Sequence, residues 1–96
     1  MADSTTAAFS IRLRVRLGNE PGALGHLATA IGSVGGNIWS LEGFEAKKES
    51  LDEDVVVNCS SEAHQQQVLD AVRALSDIEL LEWEDLNLEI SSIADI

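Results

Sequence analysis

The chain reads as an α+β fold with elements in the order βαββαβ, and three features of the sequence predict it. Residues 9–17 alternate strictly, with Phe9, Ile11, Leu13, Val15 and Leu17 against Ser10, Arg12, Arg14 and Arg16, the period of a half-buried strand. Two later segments recur at helical spacing instead: Leu24, Leu27, Ala28, Ile31 and Val34, then Val68, Leu69, Val72 and Leu75. Between them lie two extended runs joined by Lys47-Lys48-Glu49-Ser50, which reads as a hairpin turn. Two right-handed crossovers and one hairpin are most simply met by an antiparallel sheet ordered 4-1-3-2, both helices on one face.

Each element has local reasons. Residues 1–8 are small and polar and read as a disordered lead-in. After the strand at 9–17, Pro21 suits the first position of a helix over 21–34, where its fixed φ helps and its missing N–H costs nothing. Gly22 keeps side chain away from the helix entrance, where orphan N–H groups and the positive end of the dipole point outward. Gly35 and Gly36 supply a left-handed stop. Strand two is expected over 37–45, with Ile38 and Phe44 among its apolar residues, and strand three contains the β-branched run Val55, Val56 and Val57. Ser60 or Ser61 caps helix two. Strand four starts near Ile78 and carries Leu80, Leu81 and Trp83. Leu86, Leu88 and Ile90 then alternate out of phase with Leu81 and Trp83, which predicts a bulge near Glu84-Asp85. Residues 86–96 are either an added strand or a linker. Trp39 and Trp83 read as structural anchors, with Trp39 also suited to an interface.

The stretch Asn19-Glu20-Pro21-Gly22-Ala23-Leu24, followed by the helix and by Gly35-Gly36-Asn37-Ile38, carries a resemblance. The chain resembles an ACT domain, a small regulatory module that binds amino acids beside metabolic enzymes, over residues 9–85. ACT domains adopt the ferredoxin-like sandwich, which is the strand order deduced above. The wording of the helix is also similar to the ACT segment preceding some bacterial malate oxidoreductases (malic enzymes). The resemblance implies a non-catalytic domain that binds an amino acid or small carboxylate at a homodimer interface and so controls a metabolic enzyme allosterically. It implies ligand contacts from Asn19 and Asn37, within a site formed by Asn19, Glu20, Pro21, Gly22, Ala23, Leu24, Asn37 and Ile38. Leu17 departs from the pattern, since some amino-acid-binding relatives carry a polar contact residue there. A ligand-free dimerisation module is therefore the second reading, and a small stand-alone enzyme on the same fold the third.

Composition narrows the partners. The 96 residues make one domain, and the net charge of −11 repels phosphate backbones and anionic lipid. Nucleic acid and membrane surfaces are poor candidates. The first ten residues have neither a basic start nor an apolar run, and the single Cys59 excludes an internal disulfide, so a cytoplasmic setting is expected. No cofactor or metal is called for, because His26, His64 and Cys59 have no ligand spacing. Cys59 near His64 lacks a third residue to orient the imidazole, and Glu82 with Glu84 reads as solvated charge rather than an acid–base pair. His26 and His64 carry no further assignment.

Two other features bear on assembly. Arg12, Arg14 and Arg16 point away from the helices, toward Asp52, Asp54, Glu79, Glu82 and Glu84 on the flanking strands, which predicts cross-strand ion pairs. Gly25, Thr29 and Gly32 form a small-residue stripe on helix one, where close approach of another helix, such as helix two, would offset the cost of the glycines. Asn19 and Asn37 flank a helix of about 14 residues and so stand roughly 20 Å apart. One small ligand reaches both only if a second subunit runs alongside in the opposite direction, as in a two-fold dimer with two equivalent sites.

Overall fold

A computed structural model of the chain describes residues 5–86. Along them run β1 (Thr6–Gly18), α1 (Ala23–Ser33), β2 (Asn37–Ala46), β3 (Ser50–Cys59), α2 (Glu62–Arg73) and β4 (Ile78–Asp85). The sheet is ordered β4-β1-β3-β2 with every neighbouring pair antiparallel. This is the ferredoxin-like order that the alternation and crossovers require. Among the described residues no helix is long and apolar enough to cross a membrane.

The core lies between the sheet and the helices. Ile11, Leu13, Val15 and Leu17 from β1, Val55 and Val57 from β3, Ala23, Leu27 and Ile31 from α1, and Val68, Leu69 and Val72 from α2 are all buried together. The buried stripe of α1 is therefore narrower than its sequence suggests, since Leu24 and Ala28 are exposed. Gly25 and Gly32 have nothing within 4 Å of where a Cβ would stand, so among the described residues no helix packs on the small-residue stripe. That expectation is corrected: the stripe faces solvent.

Three boundaries differ from the sequence reading. β1 begins at Thr6, so the lead-in expected over 1–8 contributes its last residues to the strand, past an irregularity between Thr6 and Ile11. Pro21 is not the first helical residue. It sits in a turn with Gly22, whose φ of 88° reverses the chain before helical geometry starts at Ala23. The phase slip in β4 falls at Leu81 rather than at Glu84-Asp85, because Arg14 opposes Glu82 while Val15 opposes Leu80. Pairing continues to Asp85 opposite Ile11, and Leu86 N–H donates to Ser10 O at 2.9 Å. The alternation expected beyond Leu86 lies outside the described residues.

On the sheet face away from the helices the predicted ion pairs form. Arg14 and Arg16 make two-pronged contacts to Asp54 and Asp52, each at 2.8 and 3.0 Å. Arg12 reaches Glu84 at 2.8 Å, and Arg14 also lies 3.6 Å from Glu82. The guanidinium bonds hold the carboxyls of Asp52 and Asp54 below the usual carboxylate range, against a smaller opposing effect of burial.

Candidate functional site

Where β1 hands over to α1, the loop is tied to the β2–β3 hairpin from both backbone and side chain. Asn19 N–H donates to Glu49 O at 3.1 Å, and Asn19 Nδ2 donates to Lys47 O at 3.1 Å. Asn19 thus closes a loop and does not cap the helix. Glu20 N–H bonds back to Gly18 O at 2.9 Å, and His26 N–H reaches Gly22 O at 3.0 Å. The cap position is Gly22, with no side-chain cap and no acidic residue in the first turn. The N–H groups of Leu24 and Gly25 find no acceptor among the described residues. An exposed helix start with open N–H groups and the positive dipole end is suited to a carboxylate.

At its far end α1 stops in a Schellman motif. Gly35, at φ 81°, donates to Gly32 O at 3.0 Å, and Gly36 donates to Ile31 O at 3.0 Å. Gly36 also permits close packing, because a Cβ there would lie 2.7 Å from Ile31 Cγ2 and 3.1 Å from Val57 Cγ1. Asn37 follows as the first residue of β2, exposed and opposite Asn58, while Ile38 is half-buried opposite Val57. Of the predicted set, Glu20, Pro21, Gly22 and Leu24 are exposed and Ala23 is buried. Asn19 and Asn37 flank the 11-residue α1, whose length is about 16 Å. The fold does not bring them together within one chain.

Sequence reasoning missed two residues. His64 is buried and locked. Its Nδ1 accepts from Ser60 N–H at 2.9 Å, and its Nε2–H donates to Val34 O at 2.7 Å, so one imidazole joins the start of α2 to the end of α1. Ser60 Oγ lies 3.2 Å from the same Nδ1, but the backbone N–H already holds that lone pair. The pair is a structural clamp rather than a nucleophile and base. Cys59 is wholly buried, and burial pushes its thiol up to about 11, which removes it as a nucleophile. His26, by contrast, is exposed and sits 2.7 Å from Asp77, tying the first turn of α1 to the loop before β4.

The second missed residue is Glu53. It opposes fully buried Val15 on one side and Gly43 on the other, on the helix face of the sheet, and is 7% exposed. Neither an ion pair nor a hydrogen bond meets its side chain among the described residues. Desolvation, and then the neighbouring Asp54, raise its carboxyl above the ordinary value. Leu51, Glu53, Val55 and Val57 share this face, and that phase is the signal that was available in the sequence.

Apolar exposure gathers at the β2 edge. Trp39 is 68% exposed and Leu41 43% there, and Leu24 in the first turn of α1 is 40% exposed. Trp83 is 40% exposed on β4 at the other edge, so both tryptophans read as structural anchors stand largely open to solvent, Trp39 on the edge strand where an interface was expected.

Several solved structures share this architecture. The crystal structure of the ACT domain from the GTP pyrophosphokinase of Chlorobium tepidum superposes with a TM-score of 0.62 at 15% identity, covering 81% of this chain and 97% of that one. The fold is that of an ACT domain. The solution structure of the same Chlorobium domain gives 0.60 at 15% identity, over 84% of this chain and 89% of that one. A formyltetrahydrofolate deformylase from Pseudomonas putida KT2440 gives 0.55 at 10% identity, over 78% of this chain but only 28% of that one. At such identities the likeness is one of fold. No protein-family model matches the chain, and no curated protein sequence does.

Proposed function

We propose that this ACT-type fold is a non-catalytic regulatory module, binding an amino acid or small carboxylate at the α1 entrance across a two-fold homodimer. The observation that carries the reading is the α1 entrance itself, with Leu24 and Gly25 N–H open and no side-chain cap. The exposed Trp39 and Leu41 at the β2 edge, together with the uncovered small-residue stripe on α1, support a second subunit there. With two subunits running in opposite directions, Asn19 of one meets Asn37 of the other. Ligand affinity that differs between two interface arrangements then biases an attached or associated catalytic unit. The sequence resemblance favours a metabolic enzyme in a cytoplasmic setting, and a malate oxidoreductase is the specific partner it suggests.

A ligand-free dimerisation module is the second reading, favoured by Leu17, which is buried in the core where some relatives place a polar contact. Thermal-shift measurements against the common amino acids and central-metabolism carboxylates separate the two. Stabilisation by at least one compound, lost in Asn19→Ala, supports ligand control. A dimer that responds to none of them supports the second reading.

A further inference from the structure

The two edges of the sheet differ in chemistry. On β2 the exposed Trp39 and Leu41 suit a second copy of the chain, whereas β4 carries four acids, Glu79, Glu82, Glu84 and Asp85, and no base. Among the described residues β4 pairs with β1 alone, so its outer side offers unpaired backbone groups. The hydrogen bonds locate them. Leu86 N–H donates to Ser10 O at 2.9 Å, and Arg12 and Arg14 stand opposite Glu84 and Glu82. The two-residue alternation of an antiparallel ladder then turns the backbone of Glu82, Glu84 and Leu86 toward β1. The N–H and C=O of Trp83 and Asp85 point outward, where a further strand would bond them.

The edge is recessed on both faces at this point. On the helix face a groove of about 520 Å³ is lined by Trp83 and Asp85 of β4 and by Glu62, Ala63, Gln65 and Gln66 of α2. On the open face a smaller recess of about 110 Å³ lies among Arg12, Glu82, Trp83 and Glu84. An added strand sends alternate side chains to the two faces, and so one toward each recess.

Both recesses select cations. In the groove the exposed indole of Trp83 is accompanied by the carboxylates of Glu62 and Asp85, neither of which meets a cation among the described residues. An aromatic face beside carboxylates favours a guanidinium or ammonium group. On the open face Arg12 and Arg14 approach Glu84 and Glu82 from the β1 side, and both glutamate side chains remain more than half exposed. A second copy does not fit this edge. Pairing β4 with its own counterpart would set the same acids against one another with no base between them.

We propose that the β4 edge docks an extended basic segment of another protein, which adds as an outer strand along Trp83 and Asp85 and seats an arginine or lysine against Trp83 in the groove. It is independent of the ligand reading and of the β2 edge.

The test is fluorescence anisotropy of the whole chain with a labelled peptide, acetyl-Thr-Val-Arg-Lys-Arg-Val-Thr-amide. One control peptide has glutamine in place of each basic residue. Two others keep the charges but carry N-methyl groups on one or the other alternate set of backbone nitrogens. The expected result is binding that weakens with salt and falls at least about tenfold for the glutamine peptide. Methylation of one alternate set abolishes it and methylation of the other is tolerated, because only one set faces β4. Trp83→Ala is expected to weaken binding about 2- to 30-fold, and Glu62→Gln, at an exposed site, to weaken it in a properly folded chain. Amide hydrogen exchange at Trp83 and Asp85 should slow when the peptide binds. Equal binding of the glutamine peptide, tolerance of both methylated sets, or no binding by any peptide at millimolar concentration overturns the proposal. Arginine amide that binds as tightly as the peptide also overturns it, since the groove would then hold a small cation and no strand. So does a peptide that dissociates the protein into monomers, because a second copy would then occupy the β4 edge.

Discussion

At the start of α2, Ser61 Oγ accepts His64 N–H, Glu62 complements the dipole, and the His64 ring is held between Ser60 N–H and Val34 O. At the start of α1, Gly22 turns the chain in a left-handed conformation and no side chain caps the helix. Both entrances belong to helices of similar length, 11 and 12 residues, in one small domain. The difference is in who satisfies the backbone. The α2 entrance is completed from within the chain and so contributes to folding. The α1 entrance leaves the N–H groups of the exposed Leu24 and Gly25 to solvent, or to the ligand proposed above.

The contrast breaks most visibly at His64. In His64→Ala the Ser60 N–H and Val34 C=O lose their buried partners, at about 1–3 kcal/mol for each group left unsatisfied. Urea denaturation is expected to show this loss while the ligand-induced shift in Tm persists. A variant that keeps its stability would mean that the clamp between the helices is dispensable. Ser61→Ala, which removes the α2 cap, is expected to cost about 1 kcal/mol. Asn19→Ala, by contrast, removes only an exposed bond to Lys47 O, is expected to change stability by less than that, and abolishes the response to ligand.

A smaller effect sharpens the contrast between the paired and unpaired acids of β3. Asp52 and Asp54 have folded-state values lowered from 3.8, so the stability they add is present above that value and is lost as pH falls through the lowered folded ones. Glu53 has a value raised from 4.5, so its contribution is full below 4.5 and is lost as pH rises through the raised folded value. The Tm difference between Glu53→Gln and wild type, small at low pH, should therefore widen in favour of the variant as pH rises above about 4.5. A difference that is flat with pH would show that folding leaves the Glu53 carboxyl at its ordinary value.

Much of the fold was readable because β1 alternates without interruption. Its apolar set forms the core and its three arginines meet the acids of β3 and β4 in the expected register. What escaped the sequence depends on contacts across the fold or on local geometry that several dihedrals can satisfy. Pro21-Gly22 fits either a helix start or a turn, and only the left-handed φ of Gly22 decides. The slip at Leu81 is invisible until β4 is laid against β1. His64 acquires its role from Val34, thirty residues away along the chain. Glu53 was the most accessible of these, since its phase with Val55 and Val57 places a charge on the apolar face. Its neighbours Asp52 and Asp54 masked it by reading as one solvated acidic run.

The central claim is that the open α1 entrance is completed across a dimer, with Asn19 from one subunit and Asn37 from the other. Light scattering that showed a monomer at micromolar concentration would already remove its basis. The most direct measurement is titration calorimetry on a mixed dimer, one subunit carrying Asn19→Ala and the other Asn37→Ala, with the amino acid selected by the panel. One of its sites lacks both asparagines and the other keeps both. The account predicts half the wild-type stoichiometry at near wild-type affinity, although each homodimeric single variant loses binding about 10- to 150-fold. Absence of binding in the mixed dimer would contradict it.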